Sequence, residues 1–383
     1  TTCMVTTIAG DGVGYNEGNA LANVMSRPFG IAVDLNERVY VADTLNHRIG
    51  GLSRLNPEQQ QQQQHGESGV GLGIYGSDAA TASLSSAYYL NTIAGREFAD
   101  SENDNIDGTT SEAYFSYPMG VELDAANNIY VADTSHGMIR KVEGDYYLNN
   151  NNNNNNDNDD DDERELQVTT LVGNGIEDPC DGPMSSAMLA NPRYLALDHN
   201  LGRLYFTDFA DPSWCRVRMI DANGVVHTVA GQAGHGYVDG DASLAKFGAP
   251  HGISVDLDGN VYVADAQNHV IRKISPSRMV TTFAGSGCGG FCDGLASSAR
   301  FYGPYGVSVD QDRNEVYISD TLNNRIRKVT SITKERYRQI MAKRLRDSYE
   351  EREVARDVDA FMQTTTNQID LQGEEISLDD DEG

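Results

Sequence analysis

The phrase Tyr-x-x-Asp occurs five times at regular places and sets carboxylates at Asp43, Asp133, Asp208, Asp265 and Asp320. Such carboxylates could act as an acid–base pair, as ligands for a hard cation, or as acceptors for backbone N–H groups. Equivalent positions lie one repeat apart, so these five cannot converge as an acid and a base. The favoured reading is structural: each bonds turn N–H groups, beside Thr44, Thr134 and Thr321 in three copies. A second set, Asp34, Asp124, Asp198, Asp256 and Asp310, precedes short turns. Five oxygens ringing a channel could bind Ca²⁺, but a place at the start of a hairpin turn favours turn capping.

Histidines are where a metal enzyme would show itself. His47, His136 and His269 recur at or near one place in the repeat and read as scaffold. His251 alone stands where an axial ligand could be, with no second His in an equivalent place, so neither a metal nor a cofactor is expected. No G-x-S-x-G, Walker loop or H-E-x-x-H occurs. Gly-rich loops such as Gly285-Ser-Gly-Cys-Gly-Gly join strand to strand rather than strand to helix, so they do not cradle phosphate. The cysteines are odd in number: Cys3, Cys180, Cys215, Cys288 and Cys292. Cys288 and Cys292 frame Gly-Gly-Phe and could bridge locally in an oxidising compartment. No second pair follows at zinc spacing. No Asn begins an N-glycosylation sequon, which leans towards an intracellular protein.

The elements that hold these residues are repeats. Each copy carries an outer phrase, as in Val168-Thr-Thr-Leu-Val-Gly or Val280-Thr-Thr-Phe-Ala-Gly, then a Gly-rich loop often ending Asp-Gly. Pro-x-Gly-apolar follows at Pro28, Pro118, Pro250 and Pro304, with Pro192-Arg-Tyr-Leu as the degenerate copy. Successive Tyr-x-x-Asp carboxylates are 90, 75, 57 and 55 residues apart. The last two gaps give the period. The first two add insertions, at about 53–87 with Gln59–Gln64 and at 144–166 with Asn149–Asn156 and the acidic run Asp157–Asp162. Such tracts cannot bury apolar surface and are expected to be disordered.

Within a copy the period is that of strands. Gly252-Ile-Ser-Val-Asp-Leu alternates, Asp258-Gly259 supplies a turn, and Val261-Tyr-Val-Ala-Asp runs back. Val270-Ile-Arg-Lys-Ile and Met279-Val-Thr-Thr-Phe-Ala make two more strands. Four short antiparallel strands repeated radially predict an all-β propeller. The chain opens with an outer strand, Val5–Ala9, and the fifth copy ends without one, so the first can close the ring. That predicts five blades over residues 1–330, with six as the alternative. The residue between Pro and Gly varies most: Phe29, Met119, Arg193, His251 and Tyr305. A turn into the innermost strand displays them near the axis, and their types suit a protein interface. Packing against a neighbouring blade is the competing reading.

The phrases at 28–49, 250–274 and 304–329, with Leu45-Asn46-His47-Arg48-Ile49 and Leu322-Asn323-Asn324-Arg325-Ile326, resemble the NHL repeat family. The resemblance covers residues 4–330 apart from the insertions; the third copy departs most, with Tyr194 for Gly and Asp211-Pro-Ser-Trp-Cys inserted. It implies a propeller that is often six-bladed and commonly a binding or scaffold module. Some propellers of related fold are metal-dependent hydrolases or lyases with ligands at the axial mouth, and RNA binding is known in the family.

Charge narrows these choices. The net charge is −28, with 13 basic and 17 acidic groups in 167–330 and most of the excess elsewhere. Nucleic acid and anionic membrane surfaces need Lys and Arg that are not in surplus here, so neither is expected as a partner. No apolar run reaches the length of a membrane span, and no targeting signal is readable at Thr1. Residues 331–362, with Tyr337, Met341, Leu345 and Tyr349 at steps of four, predict an amphipathic charged helix. Residues 363–383 read as a disordered acidic tail. The sequence thus points to a binding or scaffold propeller without catalysis, serving a protein partner. A metal-dependent hydrolase or lyase using His251 is the alternative.

Overall fold

The structure, a computed structural model, describes residues 18–19, 25–34, 36–54, 88–96, 107–144, 166–175, 179–210, 214–231, 234–311, 313 and 315–330. These residues form a five-bladed propeller of antiparallel sheets. In the first blade the strands from inside outward are Pro28–Val33, Val39–Asp43, Arg48–Arg54 and Tyr88–Ala94. The other inner strands are Pro118–Leu123, Pro192–Asp198, Pro250–Val255 and Pro304–Asp310.

Four blades carry one strand more than the periodicity predicts. Gly18–Asn19, Gly108–Thr109, Gly182–Pro183 and Gly240–Asp241 each pair with the fourth strand of a blade. The Asp-Gly pair expected in a loop is therefore where the incoming chain crosses the outer edge before turning to the axis. Its backbone groups satisfy part of an edge that water would otherwise have to satisfy. The fifth blade has three described strands, Pro304–Asp310, Glu315–Asp320 and Arg325–Thr330. The expected closing strand Val5–Ala9, the bulk of both insertions, the helix at 331–362 and the acidic tail lie outside the described residues.

The Pro-x-Gly phrase is a bulge in the inner strand. Pro118 opposes Asp133 while Val121 opposes Val131, so three steps on one strand meet two on the other. Pro sits at the strand's first residue, where no ladder N–H is needed. Glycine is required because inner strands nearly touch at the axis. A Cβ on Gly120 would lie 2.5 Å from the Arg193 carbonyl oxygen, and one on Gly252 2.6 Å from that of Tyr305.

The core lies between blades rather than within one. Tyr40, Ala42 and Ile49 of the first blade pack with Phe115, Val121 and Leu123 of the second. Equivalent clusters join the second to third, third to fourth and fourth to fifth blades. Hydroxyls tie the same junctions: Thr44 Oγ1 donates to the Pro118 carbonyl at 2.6 Å and Thr134 Oγ1 to that of Pro192 at 2.8 Å.

The junction of the fifth blade with the first differs. Ile31 and Val33 are 64% and 58% exposed, against 5% each for their second-blade counterparts Val121 and Leu123. Ile326 is 74% exposed, whereas Ile49, Ile139 and Ile271 at the same place are at 0%. Among the described residues, a Cβ on Gly306 would meet Ser319 and not a neighbouring inner strand. Thr321 is exposed, and among the described residues its hydroxyl reaches the Ser319 carbonyl alone.

Candidate functional site

Each Tyr-x-x-Asp carboxylate anchors a buried cluster, with donors other than those the turn predicted. Asp133 Oδ1 accepts from the Ser116 N–H and Asp265 Oδ1 from the Gly248 N–H, both in the loop before the inner strand. The remaining oxygen meets an arginine on the third strand: Arg140 at 3.1 Å, Arg218 at 2.9 Å, Arg272 at 3.1 Å and Arg327 at 2.8 Å. The same guanidiniums reach out to the Asp of the Asp-Gly pair, Asp107, Asp181, Asp239 and Asp293, at 2.6–2.8 Å. Arg140, Arg218 and Arg272 have no solvent exposure. Burial would raise the Asp181 carboxyl, but Arg218 and Thr228 draw it below the usual range. A cation between two carboxylates spares either partner an uncompensated buried charge, which costs about 3–5 kcal/mol when one is removed. The first blade improvises: Gly50 occupies the arginine's place, and Arg48, two residues earlier, bonds Asp43 at 2.8 Å and Thr92 at 3.0 Å. This ladder was missed in the sequence, although Arg recurs seven residues after Asp in three copies.

The second carboxylate set lies at the hairpin turns. Asp124 accepts from the Ala126 and Asn128 N–H groups, and Asp256 from those of Asp258 and Asn260. The repeat tyrosines close over them, Tyr130 Oη at 3.1 Å and Tyr262 Oη at 3.2 Å. Burial, with the Asp124 charge behind it, raises the Tyr130 phenol to about 12. The recurring histidines brace blade to blade: His47 and His269 adopt positive φ, and their Nδ1 atoms accept from the Tyr117 and Gly303 N–H groups. Cys180, Cys215, Cys288 and Cys292 are free thiols.

Of the five variable positions, three meet. Arg193 Nη1 lies 2.9 Å from His251 Nε2, and its guanidinium stacks 4.3 Å above the Phe209 ring. The His251 ring centre is 4.4 Å from that of Tyr305. A guanidinium can only donate, so His251 is the acceptor and carries its proton on Nδ1. Burial, reinforced by the Arg193 charge, lowers the His251 pKa to about 3. His251 itself is buried, and Thr207 Oγ1 holds its carbonyl at 2.8 Å. Arg193, Tyr305 and Met119 are half-buried, and Phe29 is exposed.

The inner strands line a cavity of about 680 Å³ that also takes in Phe29 and Ile31 of the first blade and Tyr317, Ile318 and Ile326 of the fifth. Tyr194, in the place that is glycine in every other copy, projects into it, and burial raises its phenol to about 12. Glu122 also lines it. By register with the second strand, Glu122 corresponds to Ala32, Ala196, Ser254 and Ser308. Among the described residues its one hydrogen bond comes from the neighbouring Leu123 N–H, at 3.1 Å. Burial lifts its carboxyl to about 7, opposed by that single bond. Among the described residues no three His, Cys, Asp or Glu side chains gather as metal ligands, and no helix is long and apolar enough to cross a membrane.

A family model, the Teneurin NHL domain, matches residues 236–364. Suppressor of quenching 1, a chloroplastic protein of Arabidopsis thaliana, is 26% identical over 277 residues, 58% of this chain and 26% of that protein. NHL repeat-containing protein 2 of Homo sapiens is 24% identical over 342 residues, 85% of this chain and 42% of that protein. The chain therefore spans less than half the length of either relative. An auxiliary nutrient binding protein from Bacteroides ovatus shares the fold, with a TM-score of 0.51 at 16% identity over 81% of this chain and 60% of that one.

Proposed function

The chain belongs to the NHL-repeat β-propellers, and we propose that it works as a non-catalytic binding module that engages a protein partner. The contact face is the one bearing Phe29, Met119, Arg193, His251 and Tyr305. The observation that carries this reading is the cross-blade cluster of Arg193, His251 and Tyr305, which fixes an arginine and an aromatic ring on three adjacent inner strands. Rigid aromatic and arginine anchors supply most of the energy at protein interfaces, ~2 kcal/mol or more each. His251 acts from beneath, as a neutral brace that orients Arg193 without exposing itself. Phe29, 41% exposed, extends the surface towards the first blade.

The reading as a metal-dependent hydrolase or lyase is disfavoured by the same geometry. The lone pair that a metal would need on His251 Nε2 faces a guanidinium at 2.9 Å, and a like charge beside the site opposes a second cation. Replacing Phe29 and Tyr305 together by Ala tests the binding reading, because neither touches the Asp–Arg ladder. Proteins that co-purify with the parent should be lost from the double variant while its thermal transition stays in place. Full recovery with an intact fold would move the contact elsewhere on the molecule.

A further inference from the structure

We propose that the central channel is a binding site for a small organic ammonium ion, with Glu122 as its counter-charge and Tyr194 as an aromatic wall. This goes beyond the protein-binding face: of that face's five residues Phe29 alone is among the described residues lining the channel, and neither Glu122 nor Tyr194 belongs to the face. Four of the five copies place Ala or Ser at the Glu122 position, so the carboxyl stands alone in a layer of small side chains. Glu122 is half-buried and has no ion pair among the described residues, so its charge is left to be answered by whatever enters the channel.

The lining decides the class of ligand. The titratable groups on the channel are Glu122, Tyr194, Tyr317 and His199. Tyr317 gives its hydroxyl to Glu315 at 2.9 Å, and His199 is exposed. Among the described residues no Lys or Arg lines the cavity, so an anion would find no counter-charge there. A bare metal ion wants several oxygen or nitrogen ligands, and one carboxylate does not supply them. An ammonium ion needs one carboxylate and gains from an aromatic face. Tyr194 is well placed for this, because its Cα lies beside Gly120, two residues before Glu122 on the adjoining strand. A volume near 680 Å³ falls within the range of small-ligand sites.

The test uses the whole chain, with tetramethylammonium and methylammonium as probes, at about 0.15 M salt to screen the general negative charge. Ligand-observed NMR titrations should show one saturable site on the parent. Affinity should rise about tenfold from pH 6 to pH 8 as Glu122 ionises. Glu122→Gln should weaken binding at least tenfold and abolish the pH dependence. Ser308→Phe should block binding by filling the channel from the opposite wall without altering charge. Binding unchanged in either variant, or no saturable site on a folded parent, overturns the proposal. The Glu122 carboxyl, followed by ¹³C NMR in the free protein, should titrate near pH 7; titration in the ordinary glutamate range would overturn it independently of any probe.

Discussion

A buried imidazole paired with a guanidinium is an unusual use of histidine, and it has a measurable consequence. His251 is neutral in the folded chain because burial, and then Arg193, disfavour its charged form. Its folded pKa, about 3, lies below the unfolded value of 6.5, so its contribution to stability is complete above pH 6.5 and is lost as pH falls towards 3. At pH 4.5 the loss should be about 2–3 kcal/mol. Urea denaturation of the parent and of His251→Gln at pH 7 and pH 4.5 isolates the effect from the carboxylates, which both proteins share. The stability gap between the two should narrow by that amount at the lower pH. A gap that does not change with pH would mean that His251 is protonated in the folded state or exposed to water. Glu122 has the opposite sign: its raised pKa makes the folded state less stable as pH rises from about 4.5 to 7.

The strand that matters most is the inner one, because it serves two neighbours at once. Its apolar residues pack on the preceding blade, its small residues lie against the following blade or the channel, as Ala196 does, and its bulge carries the variable side chain. Gly120 shows how little room remains, with the Arg193 carbonyl oxygen 2.5 Å from where a Cβ would stand. Gly120→Ala should therefore destabilise by about 1–3 kcal/mol or more through overpacking of two backbones, neither of which can yield alone. Gly294→Ala, where the nearest atom is the Ser298 hydroxyl at 3.4 Å, serves as the control. Equal thermal midpoints for the two variants would show that the inner strands are further apart than described. The degenerate third copy is intelligible in these terms: Tyr194 replaces glycine, yet its Cα still lies close against Gly120 and its ring fills channel space that the other copies leave open.

At the scale of the whole molecule the open question is the seam between the fifth and first blades. The counterparts of Ile31 and Ile326 are buried in the other blades and those of Val33 are buried or half-buried, while the counterparts of Thr321 in the first two blades, Thr44 and Thr134, cross to the next Pro carbonyl. Residues 5–10 carry the outer-strand phrase that the fifth blade lacks among its described strands. Their spacing suits that vacancy: Gly10 precedes Gly18 by eight residues, against nine from Gly173 to Gly182 and from Gly231 to Gly240. Placing this segment as the fourth strand would draw the two blades together and cover the seam. Deleting residues 1–10 should lower the midpoint of the cooperative thermal transition and leave an unpaired edge prone to association. An unchanged transition would put ring closure elsewhere.

Sequence alone determined the repeat, its strand period and hence a propeller, with five blades favoured over six, because radial repetition writes the same short-range pattern into every copy; the structure decided for five. It also marked Pro-x-Gly as the place where blades crowd together, since glycine stands there in four of the five copies. The Asp–Arg–Asp ladder was only half legible. Asp and Arg stood seven residues apart in plain view, but whether they point together depends on strand register, and the outer Asp comes from a loop some thirty residues away. The channel was not legible. Glu122 reads locally as an ordinary polar residue of an alternating strand, and only closure around an axis puts a lone carboxyl among alanines and serines. The fate of His251 was likewise decided by its neighbours, because burial and a guanidinium from the adjoining blade are facts of tertiary packing.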